Sequence, residues 1–207
     1  MARALTREES KLITRRRLLE AAAKILRESG SGRLSASAVA REAGIAQPTF
    51  YVHFKDKDDL LHTLAREKLD AMRRPLKEAR QELARGEGGL ETLQRTFRLP
   101  LEALVEHPEL FRLYVQQFHD PGSVFGAQAR ELHRELERDL VEDLVALGVP
   151  AESAAERQRL EMLAAGMIAL TQTLALGYVD GRYSDLDAVV DVLTRFALAA
   201  VSPLPAT

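Results

Sequence analysis

The sequence predicts an all-α protein, and three observations support this fold class. Apolar residues recur at helical spacing along most of the 207 residues. Glycine and proline fall mainly between these stretches, where they would end or begin helices. No segment alternates polar and apolar residues as a β-strand does over a useful length, and no internal repeat is found. We therefore expect a bundle of about nine helices.

The first three helices are predicted from short-range signals. Leu18, Ala22, Ile25 and Leu26 lie on one face of a first helix that ends at the glycines of residues 30–32. Ser35 is suited to cap a second helix that reaches Ala43. Gly44 then provides a sharp turn, and a third helix runs from about Gln47 to Phe54 with Pro48 in its first turn. Two short helices around a tight turn are the layout of a helix-turn-helix, here at residues 34–53.

The rest of the chain is predicted to be helical as well. A fourth helix starts at Asp56 or Lys57, and Pro75 should kink it or mark a boundary. We place the domain junction near residues 70–75, which gives an N-terminal three-helix domain (residues 1–72) and a C-terminal helical domain (residues 73–207). The later helices are expected at about residues 90–106, 108–118, 124–147, 151–179 and 186–201.

Composition and charge favour a globular protein with a basic N-terminal region. Hydrophobic residues make up 46% of the chain and charged residues 29%, and cysteine is absent, which fits a reducing cytoplasm. The N-terminus lacks the apolar core of a secretory signal, and the longest apolar run, residues 162–170, is too short to span a bilayer.

Residues 1–75 carry 16 Lys and Arg against 10 Asp and Glu, whereas residues 76–207 carry 13 against 21. Despite a net charge of −2, this split favours a phosphate-binding N-terminal domain.

A set of spaced residues extends the helix-turn-helix pattern. Gly30, Ser35, Val39-Ala40, Ala43-Gly44-Ile45, Thr49-Phe50-Tyr51, His53-Phe54, Lys57 and Leu60 occur in this order. Over residues 11–71 the pattern resembles the N-terminal domain of the TetR (tetracycline-repressor-like) family of transcriptional regulators. The resemblance implies a DNA-binding domain followed by a helical domain that dimerises and senses a ligand. It also implies a cytoplasmic repressor that binds a palindromic operator as a homodimer and is released by its effector.

Seven residues are candidate DNA contacts: Ser35, Gln47, Pro48, Thr49, Tyr51, His53 and Lys57. Gln47 and Thr49 carry hydrogen-bonding groups suited to base edges or to phosphate. The resemblance assigns Tyr51 and His53 to phosphate contacts, and Lys57 has the charge and reach for a flanking phosphate. Tyr51 as a packing residue and His53 as an ordinary surface histidine are the alternatives.

Other residues near the motif are interpreted as structural or are left open. Phe50 and Phe54, four residues apart, are expected to hold the third helix in the core. Ala46 stands where a Ser or Thr often caps that helix, so a cap worth roughly 1 kcal/mol is missing. The basic stretch of residues 15–17 either adds phosphate or minor-groove contacts or forms a solvated helix face.

The last two helices carry apolar residues on more than one face, so we expect them to form a four-helix dimer interface. The alternative is that they fill one monomer's core. The candidate pocket residues are Phe97, Leu101, Phe111, Tyr114, Phe118, Phe125, Thr171, Gln172 and Tyr178. Mostly apolar walls with a few hydroxyls and amides suit a small apolar or amphipathic effector, and ordinary core packing is the alternative for each residue.

An enzyme is disfavoured by the sequence. The five histidines form no HExxH motif, and His133 and Glu137 are interpreted as a solvent-exposed pair on a charged helix. The glycines at residues 86–89 lack the lysine and the preceding strand of a phosphate loop. No catalytic, metal or cofactor site is predicted. A helical protein-interaction module without DNA binding is the alternative function, followed by a helical enzyme.

Overall fold

The computed structural model describes residues 6–201, and these residues form nine α-helices and one 3₁₀ turn. The helices are α1 (Arg7–Ser29), α2 (Ala36–Glu42), α3 (Gln47–His53), α4 (Lys57–Ala84), α5 (Gly89–Glu106), α6 (Pro108–Phe118), α7 (Val124–Ala146), α8 (Ala154–Val179) and α9 (Leu186–Val201), and the 3₁₀ turn is Ser31–Arg33. The described residues contain no strand, so the predicted all-α class and helix order are confirmed.

A local helix cap and a glycine turn define the start of α2 and the turn that follows it in the helix-turn-helix. The Ser35 side chain accepts a hydrogen bond from the Ala38 amide, which satisfies one of the free donors at the start of α2. Gly44 has a φ of 66°, the left-handed conformation that the turn between α2 and α3 requires and that glycine adopts most readily. Ala46 makes no side-chain cap to α3, as predicted.

The contacts of the chain divide it into two compact units. The first unit comprises the described residues up to Glu67 together with His107–Ala129, and the second comprises Lys68–Glu106 and the described residues from Arg130 onward. The division falls inside α4 and inside α7, which each contribute residues to both units. Residue 72 as the end of the DNA-binding domain stays a prediction.

The core of the first unit includes residues from beyond the helix-turn-helix. Leu18, Leu26, Phe50 and Phe54 pack into one cluster with Leu60, Leu61 and Leu64 of α4. Leu110 and Leu113 of α6 and Phe125 of α7 join the same cluster, and α6 packs against α1. The helix-turn-helix therefore shares its core with residues of α6 and α7, which lie beyond α5 in the sequence.

The second unit is a helical bundle in which α5, α8 and α9 pack against one another. Leu140, Val141 and Leu144 of α7 form a further cluster with Leu160 and Ala164 of α8. Charged side chains join α4 to α7: Arg73 binds Glu135 and Asp139 at 3.1 and 3.0 Å, and Arg80 binds Asp143 at 2.6 Å. Both members of the Arg80–Asp143 pair are largely buried, whereas Arg73 is 31% exposed, so we expect the Arg80–Asp143 pair to contribute most to this contact.

Two sequence predictions need correction. Pro75 marks no helix boundary, because α4 continues through it to Ala84, and a kink at this residue stays a prediction. Leu76 and Ala79 beyond it are buried and Arg80 is ion-paired, and these interactions offset the hydrogen bond that proline cannot donate. His133 and Glu137 are not a solvent-exposed pair. The His133 side chain is 13% exposed, and its Nδ1 lies 3.4 Å from the amide nitrogen of Gln172 on α8.

Helix α8 carries a longer apolar stretch than the nine-residue run, because Thr171 and Gln172 interrupt it without adding charge. Among the described residues α8 is long and apolar enough, by length and composition alone, to cross a bilayer. Buried core helices pass the same test, but only 11% of the residues in this apolar window are buried within the structure. Much of the α8 surface is therefore left uncovered by its own chain.

Candidate nucleic-acid interface

Helix α3 is fixed by one buried face. Phe50 and Phe54 are 0% and 1% exposed, and their ring centroids lie 5.8 Å apart. Because the two rings are four residues apart, they occupy the same side of the helix and turn the opposite side outward. The structure confirms the prediction that both phenylalanines are core residues.

The outward face of α3 carries most of the predicted base-reading residues. Gln47, Pro48 and Tyr51 are exposed, and Thr49 is half-buried. The Tyr51 side chain is 54% exposed, and its ring meets that of Phe50 edge-on with centroids 5.3 Å apart. This contact orients the ring while its hydroxyl remains available, so the packing and phosphate-binding interpretations of Tyr51 are compatible.

Val52 belongs to the same outward face and was missed by the sequence analysis. Its side chain is 68% exposed, although valine is usually buried. Val52 follows Pro48 by four residues, so helical spacing alone places the two side chains together on one face of α3. That spacing was available in the sequence, but an apolar residue between Tyr51 and His53 is more readily interpreted as core. In the major groove, the thymine methyl group is the apolar counterpart for such a side chain.

His53 ends α3 in a partly buried environment. Burial, and then the charges of Lys11 and Arg15, lower the pKa of its imidazole below the ordinary value. Its Nδ1 is buried without a hydrogen-bond partner, and a proton there would have no acceptor. The lowered pKa favours the neutral imidazole, and the buried Nδ1 favours the tautomer with its proton on Nε2, which suits donation of one hydrogen bond to phosphate.

The start of α4 is capped by carboxylates and leaves Lys57 exposed. Asp56 accepts hydrogen bonds from the amides of Asp58 and Asp59 at 3.0 and 2.9 Å, and the Asp59 side chain accepts one from the amide of Lys55. These contacts fix the junction between α3 and α4. Lys55 and Lys57 are exposed at this junction, and neither ammonium group forms an ion pair with another residue in the described range.

Ser35 caps α2, as predicted, and its hydroxyl also lies 3.1 Å from that of Ser37. Both serines are exposed at the start of this helix, where amide groups and the helix dipole favour an anion. Phosphate contact by Ser35 remains a prediction.

The basic stretch of residues 15–17 is not a uniform surface, which corrects both sequence interpretations. Arg16 points into solvent: its side chain is 83% exposed and pairs with Glu20 at 3.0 Å. Arg15 and Arg17 instead donate hydrogen bonds to main-chain carbonyl groups of the helix-turn-helix. The single sequence could not distinguish the three residues, because their types and local spacing are alike.

The predicted pocket residues fall into two groups, one in each unit. Phe111, Tyr114, Phe118 and Phe125 belong to the first unit, and Phe97, Leu101, Thr171, Gln172 and Tyr178 belong to the second. Phe125 is 2% exposed within the first unit's core cluster, which favours the packing interpretation at this residue. The Tyr114 hydroxyl donates to the Ala129 carbonyl at 3.3 Å, and its ring lies 5.9 Å from that of Phe118.

In the second group, Phe97 and Leu101 are buried on α5. The Thr171 hydroxyl donates to the Met167 carbonyl of its own helix at 2.8 Å, while Gln172 reaches His133. A ligand pocket formed by any of these residues stays a prediction.

The outer faces of α8 and α9 are exposed and largely apolar. On α8, Met162, Gly166, Ala169 and Thr173 follow one another at intervals of four, three and four residues and are all exposed. On α9, Val192, Phe196 and Leu198 are exposed, while Val189, Val190 and Leu193 are buried. The two helices therefore carry apolar residues both inside and outside their own bundle.

Residues 18–64 match the sequence model of the family described as "Bacterial regulatory proteins, tetR family". Solved structures with the same overall fold include a TetR-like transcriptional regulator from Rhodococcus sp. RHA1, which is 21% identical with a TM-score of 0.64. The alignment covers 96% of this chain and 98% of that one.

Two further similar structures are transcriptional regulators named FadR, each in complex with an acyl-CoA. FadR from Thermus thermophilus, a TetR-family repressor in complex with lauroyl-CoA, is 24% identical over 93% of this chain and 98% of that one, with a TM-score of 0.65. FadR from Bacillus subtilis, in complex with stearoyl-CoA, is 19% identical over 90% and 99%, with a TM-score of 0.63. At these identities the likeness establishes that the chain has the fold of TetR-family transcriptional regulators.

Proposed function

We propose that this chain, whose residues 18–64 match the tetR family and whose fold is that of TetR-family transcriptional regulators, is a sequence-specific DNA-binding repressor. It binds a palindromic operator as a homodimer in the cytoplasm and is released from DNA by a small effector. Its two copies of α3 would lie about one helical turn of DNA apart, ~34–36 Å, when the dimer is competent to bind.

The outward face of α3 is the observation that carries this proposal. Two buried phenylalanines hold the helix, while Gln47, Pro48, Tyr51 and Val52 are exposed. Exposed lysines follow at the start of α4. Hydrogen-bonding and apolar groups flanked by cations match a DNA groove, where base edges and thymine methyl groups lie between two lines of phosphates.

Within this face we assign the residues to two tasks. Gln47, Thr49 and Val52 read base edges, with Pro48 lying beside them. Ser35, Tyr51, His53 and Lys57 bind phosphate and set the position of the helix on the duplex. Tyr51 and His53 donate neutral hydrogen bonds, whereas Lys57 contributes a charge that releases counterions.

The outer faces of α8 and α9 are assigned to dimerisation. Met162 and Phe196 are apolar side chains that are 61% and 58% exposed, so we expect another surface to bury them. Gly166 and Ala169 are small and exposed, and they permit close approach of another helix. Pairing of the same two helices from a second copy would bury both faces in a four-helix arrangement around a two-fold axis. A palindromic operator has the same symmetry.

The effector is assigned to the second unit and to the amphipathic class. Support comes from the buried apolar residues of α5 beside polar groups of α8, and from the acyl-CoA molecules named for two structures of this fold. Because residues 76–207 are acidic overall, we expect the acyl chain rather than a bare anion to supply most of the affinity. Thermal-shift titration with lauroyl-CoA, stearoyl-CoA, free fatty acids and coenzyme A tests this, and an equal response to coenzyme A alone would contradict it.

Selection of DNA from a pool of random duplexes tests the proposed function itself. At moderate salt the protein should enrich one palindromic sequence and bind it with sub-micromolar affinity that falls steeply as salt rises. Tyr51→Ala should weaken this binding without unfolding the chain. A selection that enriches no sequence would overturn the proposal.

A further inference from the structure

We propose that Arg15 and Arg17 are positioning residues of the DNA-binding domain: from α1 they hold the C-terminal ends of α3 and α2 in the geometry that reads DNA. The inference rests on the proposed function, which it deepens by adding two residues that contact no DNA themselves. Both were candidate phosphate contacts by sequence, and the structure places their guanidinium groups against protein instead.

Arg15 joins three helices at one point. Its Nη1 donates to the carbonyl oxygen of His53, the last residue of α3, at 2.9 Å, and its Nη2 donates to the Thr63 hydroxyl on α4 at 3.2 Å. The guanidinium carbon also lies 4.3 Å from the centre of the Phe54 ring, within the range of a cation–π contact. The half-buried guanidinium group therefore donates to two oxygens and lies near an aromatic ring. These contacts hold it in place, so it is not available to bind phosphate.

Arg17 makes the corresponding contact on α2. Its Nη2 donates at 2.5 Å to the carbonyl of Ala43, the residue that ends this helix. A Cβ added to Gly44 would lie 3.3 Å from the same nitrogen, so the turn glycine also leaves room for the guanidinium. Two arginines from one helix therefore reach the ends of both helices of the motif.

The chemistry of helix ends explains why these contacts matter. The last carbonyls of a helix lack intrahelical partners and carry partial negative charge, which a guanidinium both satisfies and stabilises. Helices α2 and α3 have only seven residues each, a length that is unstable in isolation. Because α3 also has no side-chain cap at its start, its direction depends on Phe50, Phe54 and the Arg15 contact at its end.

Arg16 provides a matched control between the two. It lies on the same helix, has the same charge and is 83% exposed, and within residues 6–201 its ion-pair partner is Glu20. Removal of its charge tests the general electrostatic effect of an arginine in this stretch without touching the ends of α2 or α3.

The experiment compares Arg15→Gln, Arg17→Gln and Arg16→Gln in the full chain, at a temperature where circular dichroism shows each variant folded. Affinity for the selected operator and for an unrelated duplex is measured over a range of salt. We expect Arg15→Gln and Arg17→Gln to lower the ratio of specific to non-specific affinity by about tenfold or more, because a misplaced α3 loses base contacts but keeps phosphate attraction. Arg16→Gln should leave that ratio unchanged.

Two further variants separate the effect of the two Arg15 hydrogen bonds from the effect of its charge. Arg15→Lys keeps the charge but cannot bridge His53 and Thr63, so it should resemble Arg15→Gln. Thr63→Val removes one partner without altering charge and should give a smaller loss of the same kind. If Arg15→Gln instead lowered specific and non-specific binding alike and reduced the salt slope by about 0.9 for each contact, one in each subunit, Arg15 would be a phosphate contact and the proposal would be wrong.

Hydrogen exchange gives a readout that needs no operator. The α3 amides should exchange faster in Arg15→Gln than in Arg16→Gln, since the end of the helix is released. Unchanged α3 exchange in Arg15→Gln would overturn the positioning role even if the protein selects an operator. Faster exchange in a protein that enriches no DNA sequence would support the positioning role while the proposed function failed.

Discussion

Gly126 of α7 lies directly against the end of α6: a Cβ at this residue would be 2.1 Å from the carbonyl oxygen of Gln117. The carbonyl oxygen of Asp120 would be 3.1 Å away, so main-chain atoms would have to move. Only glycine allows this approach, which brings Phe125 into the core shared by α1 and α6. The core that holds the helix-turn-helix thus depends on a residue far from that motif in the sequence.

Gly126→Ala should therefore destabilise the chain, by roughly 1–3 kcal/mol as for other overpacked sites. Gly32→Ala is the matched control, since a Cβ there meets nothing within 4 Å and its backbone is outside the left-handed region. Urea denaturation of both variants checks the difference. Equal free energies of unfolding would contradict the observed close approach.

Replacement of Phe196 with Asp should convert a dimer into a monomer. The substitution buries a carboxylate in the proposed interface, whereas Leu12→Asp alters a residue of α1 that is similarly exposed and apolar. Light scattering during gel filtration measures the molar mass of each. If the Phe196→Asp variant is still a dimer, the interface lies elsewhere. If the wild-type chain is monomeric and partitions into lipid vesicles, the exposed face of α8 binds a membrane instead of a second copy.

Lys57→Gln should weaken binding to all DNA sequences by similar factors. Loss of one phosphate contact per subunit removes about 0.9 from the salt slope for each contact, without changing base preference. Lys77→Gln on the exposed surface of α4 is the control with the same change in net charge. Fluorescence anisotropy across a salt series provides the slopes; a Lys57→Gln slope equal to that of Lys77→Gln would exclude the contact.

Val52 should be coupled to thymine methyl groups in the operator. In the wild-type protein, replacing the contacted thymine with uracil should weaken binding by about 0.8 kcal/mol, the value of one buried methylene-sized group. In Val52→Ala the same replacement should cost much less. A double-mutant cycle over each thymine of the selected operator measures this coupling, and strictly additive effects at every position would assign Val52 no part in base recognition.

His53 should make the stability of the folded chain fall in mild acid. Its pKa is lowered in the folded state by burial and by Lys11 and Arg15, so the unfolded chain binds more protons as the pH drops through its ordinary value of about 6.5. The contribution of neutral His53 to the free energy of unfolding is therefore complete above that pH, and it is lost progressively as the pH falls towards the lower pKa of the folded state. Relative to wild type, His53→Gln should reduce the slope of unfolding free energy against pH, by less than about 1.4 kcal/mol per pH unit. Denaturant titrations between pH 8 and 5 test this, and identical slopes would contradict it.

The candidate interface could be predicted in large part from local sequence, with instructive omissions. Ser35 and Gly44 set the cap and the turn through their own conformations, and the spacing of Phe50 and Phe54 fixed which side of α3 is buried. Val52 was overlooked because residue type suggested core, whereas helical geometry leaves it outside. The packing of α6 beside α1 had no sequence signal, since any apolar helix face fits many partners.

The sequence by itself determined the all-α fold, the helix order and the face of α3 that is exposed, because caps, glycine turns and periodicity act over a few residues. Only the tertiary structure decided which of three adjacent arginines contact the helix-turn-helix and which does not. Arg15 meets carbonyl and hydroxyl groups that are 38 and 48 residues away along the chain. Such contacts depend on how helices pack, and packing is a property of the assembled core rather than of any local pattern.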